Sequence, residues 1–271
     1  MIRTCLMLVG VFSFCSGVYG VEIIAHRGAS AHAPENTLAA VNLAWQLGAD
    51  AVEVDVYLSS DGHIVVMHDD TTKRTGGHDW KISERTLAEL RTLDVGSWKG
   101  PTWAGEKIPT LAEVLATIPS GKRLFIEIKC GPEIAEPLAK VLAEAGRSAA
   151  ETVVIAFKLP VAEAVKRRLP GMRVYWLYST SPKKDKETGR LVDYPEELLA
   201  VCRRAGLDGL DLGYESQLTP EFVARMRDLG LGLYVWTVNK PDVAQRLHAL
   251  GVDGITTDDP RLIREHLEMG R

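Results

Sequence analysis

Short apolar runs recur along the chain, each followed by a stretch in which apolar residues return every three or four positions. The runs fall at residues 22–25, 51–57, 123–129, 152–157, 173–178, 207–212, 231–237 and 254–257. They are rich in Val and Ile and bounded by Gly, Pro or Asp, the pattern of strands buried on both faces. Helical segments are predicted at 35–47, 110–118, 132–145, 160–168, 195–205, 219–229, 241–250 and 260–267. Several carry Pro in the first turn behind a capping residue, as in Asn239-Lys240-Pro241 and Asp259-Pro260. Several stop at a glycine, as at Gly48, Gly146, Gly206, Gly230 and Gly251. Strands alternating with helices predict a parallel sheet. Eight of each favour closure into a (β/α)₈ TIM barrel over an open doubly wound sheet.

One connection breaks the rhythm. Residues 58–109 separate the second strand from the next helix, far more than the usual loop of about 4–6 residues. The stretch holds Trp80, Trp98 and Trp103, many glycines, and a short helical patch at 83–93. An insertion at the carboxyl end of a barrel strand is expected to form a lid or a substrate-shaping element. Leu47-Gly48-Ala49-Asp50, Ala205-Gly206-Leu207-Asp208 and Leu250-Gly251-Val252-Asp253 each precede a strand. They share helix-to-strand turn chemistry and do not form a solenoid repeat.

Composition alters this picture only at the start of the chain. Arg3, the apolar run at 6–14, and the small residues Ser16, Gly17 and Gly20 form the pattern of a secretory signal peptide over 1–20. The run is too short and interrupted for a membrane span. Phe14 before Cys15 is bulkier than lipid attachment prefers. The expected mature domain is therefore 21–271, secreted or periplasmic, with no stable membrane insertion. Cys5 and Cys15 would leave with the leader, and Cys130 and Cys202 are too few for a disulfide framework. With 271 residues, 46% apolar and 25% charged, the chain can bury one large core. A net charge of −4 and the lack of a basic run give no reason to expect a nucleic-acid partner. Oligomeric state is not legible.

In a barrel, reactive groups collect at the carboxyl ends of strands. The first strand ends in His26-Arg27-Gly28, the second carries Glu53 and Asp55, and His68-Asp69 follow it. The third carries Glu127 and Lys129, the seventh Trp236, and the eighth ends near Asp258. Side chains alternate along a strand, so with Val52, Val54 and Val56 packed outward, Glu53 and Asp55 point inward. Ile126 and Ile128 place Glu127 and Lys129 inward by the same argument. Three carboxylates crowding a low-dielectric space repel and lose hydration. One divalent cation would relieve both costs, and oxygen ligands suit Mg²⁺ or Ca²⁺ better than zinc. The competing reading neutralises the acids with Lys129 and Arg27 alone. His26 and His68 are candidates for proton transfer, because imidazole titrates near neutral pH. His63 sits in a turn-like stretch, and His32, His78, His248 and His266 are expected on the surface. Arg27 suits a phosphate, or equally an ion pair with Glu53 or Glu127. Lys129 could stabilise anionic charge on phosphorus. Trp236 could wall a pocket or fill the barrel.

The ordered set His26-Arg27-Gly28, Pro34-Glu35-Asn36-Thr37, Glu53-Val54-Asp55, His68-Asp69 and Glu127-Ile128-Lys129 resembles the glycerophosphodiester phosphodiesterases. The resemblance runs on through Arg74-Thr75-Gly76 and residues 105–111 to Trp236-Thr237-Val238-Asn239 and Thr257-Asp258-Asp259-Pro260. It implies a barrel, a divalent cation held by Glu53, Asp55 and Glu127, and His26 and His68 as general acid and base. It also implies a small glycerophosphodiester as substrate, with an alcohol and glycerol 3-phosphate as products. Two other functions compete. One is a phospholipase D-like hydrolase of lysophospholipids, for which the polar content of residues 70–106 is mildly unfavourable. The other is a non-catalytic phosphate- or metal-binding protein, disfavoured because no acid or histidine of the set is missing.

Overall fold

The computed structural model describes residues 20–180, 184, 186 and 190–270. The expected leader, apart from Gly20, lies outside the described residues. Nine strands form one sheet: β1 Glu22–Ala25, β2 Ala51–Leu58, β3 Ile64–Val66, β4 Arg123–Ile128, β5 Thr152–Ala156, β6 Arg173–Tyr178, β7 Gly209–Gly213, β8 Gly232–Trp236 and β9 Gly254–Thr257. Their order is β1-β9-β8-β7-β6-β5-β4-β2-β3, and β1 also pairs with β2. Eight parallel strands therefore close on themselves, with β3 outside the ring. This is the predicted TIM barrel.

Helices α1 Leu38–Gln46, α4 Leu111–Ala116, α5 Ala135–Glu144, α6 Leu159–Arg168, α7 Glu197–Arg204, α8 Pro220–Asp228, α9 Pro241–Leu250 and α10 Pro260–Met269 lie between and after the barrel strands. The large core is the layer between these helices and the outward strand residues. Val52, Val54, Val56, Ile126 and Ile128 belong to it, as alternation requires. A second cluster fills the barrel interior. Its floor is Phe125, Tyr175 and Tyr234, with Tyr234 ring centroids 5.2 Å from Phe125 and 4.9 Å from Tyr175. Glycine makes room for these rings, since a methyl group at Gly254 would come within 2.5 Å of the Tyr234 ring. The floor closes one end of the barrel interior.

Several element limits differ from expectation for local reasons. The helix predicted from residue 35 begins at Leu38, because Asn36 is left-handed (φ 59°) and Thr37 caps the helix by accepting from the Ala40 N–H at 3.2 Å. The strands predicted at 207–212 and 231–237 are Gly209–Gly213 and Gly232–Trp236. In the long connection, β3 pairs antiparallel with β2, Val56 opposite Val66, which the sequence reading did not anticipate. The helical patch predicted at 83–93 is a 3₁₀ turn, Ile82–Glu84, and one turn of helix, α3 Leu87–Leu90, opened by a Thr86–Glu89 capping box. A further turn, α2 Lys73–Gly76, precedes them. Val65, Met67, Ile82, Leu90, Leu93, Val95 and Ile108 give this region its own apolar cluster. Among the described residues no helix is long and apolar enough to cross a membrane.

Candidate active site

At the open end, strand register gathers the acids. Asp55 on β2 lies directly opposite Glu127 on β4, and Glu53 stands two residues back on the same face. Glu53, Asp55 and Glu127 are 3%, 1% and 8% exposed. One oxygen from each lies within 4.8 Å of the others. Two ligands on opposite sides of a Ca²⁺ ion, each at about 2.4 Å, would be about 4.8 Å apart, so the span fits a single hard cation. Glu53 Oε1 and Asp55 Oδ1 are buried without hydrogen-bond partners. Unsatisfied buried oxygens of this kind are what an oxygen-liganded cation requires. Burial, Asp55 and Glu127 push the Glu53 carboxyl well above its usual range. Burial and Asp55 push Glu127 up to about 7 despite Lys129.

The other oxygens are held by the turns that the sequence motif encodes. Glu53 Oε2 accepts the Arg27 backbone N–H at 2.8 Å. That N–H is aimed inward by a left-handed pair, Arg27 (φ 54°) and Gly28 (φ 81°). A Cβ at Gly28 would come within 2.5 Å of the Ala40 carbonyl carbon, so only glycine fits. The Asn36 amide donates to Asp55 Oδ2 at 2.8 Å and accepts the Asp55 backbone N–H at 3.2 Å.

Two cations answer part of the acid charge. Lys129 Nζ is 2.7 Å from Glu127 Oε1 and 3.5 Å from Asp55 Oδ1. Burial lowers the Lys129 pKa, but Glu127 and Asp55 outweigh it, and the net direction is upward. Arg27 pairs with Glu35 at 2.9 Å and with Asp55 at 3.3 Å. The pairing considered for Arg27 with the Glu53 or Glu127 side chain is not found. Arg27 meets Glu53 only through its backbone, because the left-handed turn carries its guanidinium toward Glu35 instead. Two unit cations against three carboxylates leave an excess of negative charge.

Each predicted histidine is oriented by a carboxylate. His26 Nδ1 lies 2.7 Å from Asp258 Oδ1, and Asp258 also accepts from Ser30 and Asn239. Burial opposes ionisation of Asp258, yet His26, Asn239 and Ser30 hold its pKa down at about 2. His68 Nδ1 lies 2.8 Å from Asp69 Oδ1. Both carboxylates are acceptors, so each ring donates from Nδ1 and leaves Nε2 as the nitrogen that can take up or give a proton. Burial, with Arg27 and Lys129, lowers the His68 pKa below its ordinary value, although Asp55 and Asp69 oppose the shift. Arg74 ties Asp69 to Glu35 through bonds of 2.7–2.8 Å. A continuous polar chain thus runs from His68 through Asp69, Arg74, Glu35 and Arg27 to Asp55.

A cavity of about 210 Å³ is lined by His26, Arg27, Glu53, His68, Glu127, Lys129 and Trp236. Asp55 is buried in its wall. The eight residues given acid–base, cation or substrate roles from the sequence therefore meet at one end of the barrel. Trp236 both walls this cavity and packs on the interior cluster. His63 is exposed, and His32 pairs with Asp259 at the surface. Cys130 is half-buried and its thiol pKa is pushed up by burial, which leaves it a poor nucleophile. Asp211, which also lines the cavity, escaped the sequence reading. Leu210 and Leu212 flank it on the outward face, and that alternation is the signal that marks an inward acid.

The Glycerophosphoryl diester phosphodiesterase family model matches residues 26–262. A glycerophosphodiester phosphodiesterase of Caldanaerobacter subterraneus is 37% identical over 247 residues, covering 89% of this chain and 95% of the relative. An Oleispira antarctica phosphodiesterase, solved in complex with the product sn-glycerol-3-phosphate, superposes with a TM-score of 0.80 at 30% identity, covering 92% and 97% of the two chains. A glycerophosphodiester phosphodiesterase of Thermotoga maritima superposes with a TM-score of 0.72 at 30% identity, covering 91% and 98%.

Proposed function

The chain belongs to the glycerophosphoryl diester phosphodiesterase family, and from that premise we propose that it hydrolyses glycerophosphodiesters to an alcohol and glycerol 3-phosphate. The observation that carries this reading is the convergence of three buried carboxylates and two carboxylate-oriented histidines on one cavity. Glu53, Asp55 and Glu127 would hold one Mg²⁺ or Ca²⁺ ion, which supplies positive charge against the phosphoryl oxygens. Arg27 and Lys129 bind and orient the phosphate. His68, kept neutral by burial, takes the proton of the attacking hydroxyl at Nε2. That hydroxyl belongs to water, or to the glycerol itself with a cyclic phosphate formed first. The bond from phosphorus to the departing alcohol breaks, and His26, entering the step as the imidazolium paired with Asp258, gives that oxygen its Nε2 proton. Asp258 and Asp69 fix the rings, and Trp236 walls the substrate arm.

A second reading rests on the rim. Trp98, Phe157 and Leu262 are exposed large apolar side chains, and all three border the cavity or the groove beside it. They would suit the acyl chain of a lysophospholipid. Purified mature protein should be assayed on glycerophosphocholine, glycerophosphoethanolamine and lysophosphatidylcholine, with chelator and with Mg²⁺ or Ca²⁺ restored. Cation-dependent release of glycerol 3-phosphate from the first two supports the main reading. Turnover of the lysolipid alone would replace it, and turnover of none would refute both. The N-terminal pattern supports export, with the leader removed near Gly20; N-terminal sequencing of protein from culture medium or periplasm checks it.

A further inference from the structure

Asp211 is a buried acid for which the chemistry above has no use. It is 1% exposed, its Oδ1 has no hydrogen-bond partner, and no ion pair reaches it among the described residues. An unpartnered buried carboxyl is costly and calls for an explanation. Its position supplies one. β7 is four strands from β2 in the ring of eight, so Asp211 faces Glu53 and Asp55 from the opposite wall of the same cavity. A phosphate held at the acids would extend one ester arm toward it.

The surroundings define that arm. Beside Asp211 stand Leu177, its register partner on β6, and Trp236; both line the cavity and neither carries charge. The Trp236 indole N–H donates to the Asp211 carbonyl at 3.1 Å, which fixes the ring beside the acid. Gly213 is the next inward position on β7. A Cβ there would meet Ser179 at 3.1 Å and the Trp236 ring at 3.7 Å, so the absent side chain keeps the approach open. Burial favours the protonated form of Asp211. A neutral carboxyl offers one donor and one acceptor, and a hydroxyl offers the same pair in return. An ionised Asp211 would instead repel the phosphodiester anion.

We propose that Asp211 is a specificity residue whose carboxyl hydrogen-bonds a hydroxyl on the uncharged glycerol arm of the substrate. The proposal rests on the glycerophosphodiester reading, but its test is a binding measurement that requires no turnover. Calorimetry should compare sn-glycerol 3-phosphate with propyl phosphate, which lacks both hydroxyls, in the presence of the same divalent cation. The wild type should prefer glycerol 3-phosphate by about tenfold or more, because a buried polar group left unpaired discriminates strongly. Asp211→Leu should abolish the preference, and Asp211→Asn, which keeps a donor and an acceptor, should retain most of it. Asp211→Ala gives the same reading if the Leu variant does not fold. An unchanged preference in the Leu or Ala variant would overturn the assignment, as would its absence in the wild type. Choline phosphate and 3,3-dimethylbutyl phosphate form a second pair that differs in charge. Loss of selectivity in that pair, with the glycerol preference kept, would show that Asp211 reads an ammonium and would equally overturn it. Failure to hydrolyse any glycerophosphodiester, with the binding preference present, would count against the proposed reaction and not against the contact.

Discussion

The side-chain amide of Asn36 grips Asp55 at two points, donating to Oδ2 at 2.8 Å and accepting the backbone N–H at 3.2 Å. Asn36 does so from a left-handed conformation that few other residues tolerate. Partners of this kind orient ligands, and their loss typically costs about 10–100-fold in metal affinity. Asn36→Ala should therefore weaken Mg²⁺ or Ca²⁺ binding by about that factor while the barrel stays folded. Isothermal titration with far-UV circular dichroism on the same sample measures both. Unchanged affinity would show that Asn36 serves only the turn.

The acids also make the stability of the cation-free protein depend on pH. Glu53 and Glu127 have folded pKa values raised above the unfolded value of about 4.3, Glu127 to about 7. The folded state then binds more protons than the unfolded chain between those limits. Stability should fall as pH rises from about 4.5 to about 7. Saturating divalent cation should reverse the slope, since it competes with those protons and binds only the folded state. Thermal melts with chelator and with cation across this range test the sign. Glu53→Gln should flatten the chelator curve and lose the gain from cation.

His26→Ala and His68→Ala should each lower turnover of glycerophosphocholine by about 10²-fold or more. Asp258→Asn should cost less, because it frees the His26 ring without removing it. The substitution exchanges an ionised acceptor for a neutral amide, so the Nδ1 proton is no longer fixed. Steady-state kinetics on folded, cation-loaded variants decides this. An Asp258→Asn enzyme with full activity would separate Asp258 from the reaction.

His68 must be neutral to accept a proton, and its folded pKa lies below the ordinary value of about 6.5. The acid limb of kcat/KM should therefore have its midpoint below pH 6.5. Lys129→Met removes one of the cations that lower the pKa and should move that limb upward. A limb that stays in place would assign it to another group.

The strand and helix pattern was legible because each element is amphipathic or uniformly apolar at a fixed period, and that period is local. The inward direction of Glu53, Asp55 and Glu127 followed from their Val and Ile neighbours, by alternation alone. The antiparallel strand Ile64–Val66 was not legible, since three apolar residues after a turn specify no partner until β2 is present to pair with them. The left-handed turn at Arg27 turns a backbone N–H toward Glu53, and no property of an arginine in isolation announces that. Asp69 and Arg74 join Glu35 to His68 across residues far apart in sequence, and Asp258 meets His26 over 232 positions. Sequence by itself determined which groups could react and which way each faces, because alternation and capping act over a few residues. Only the closed barrel decided which of them meet, because the sheet sets β2 against β4, closure brings β1 and β9 round beside β2, and Asp211 is left across the cavity without a partner among the described residues.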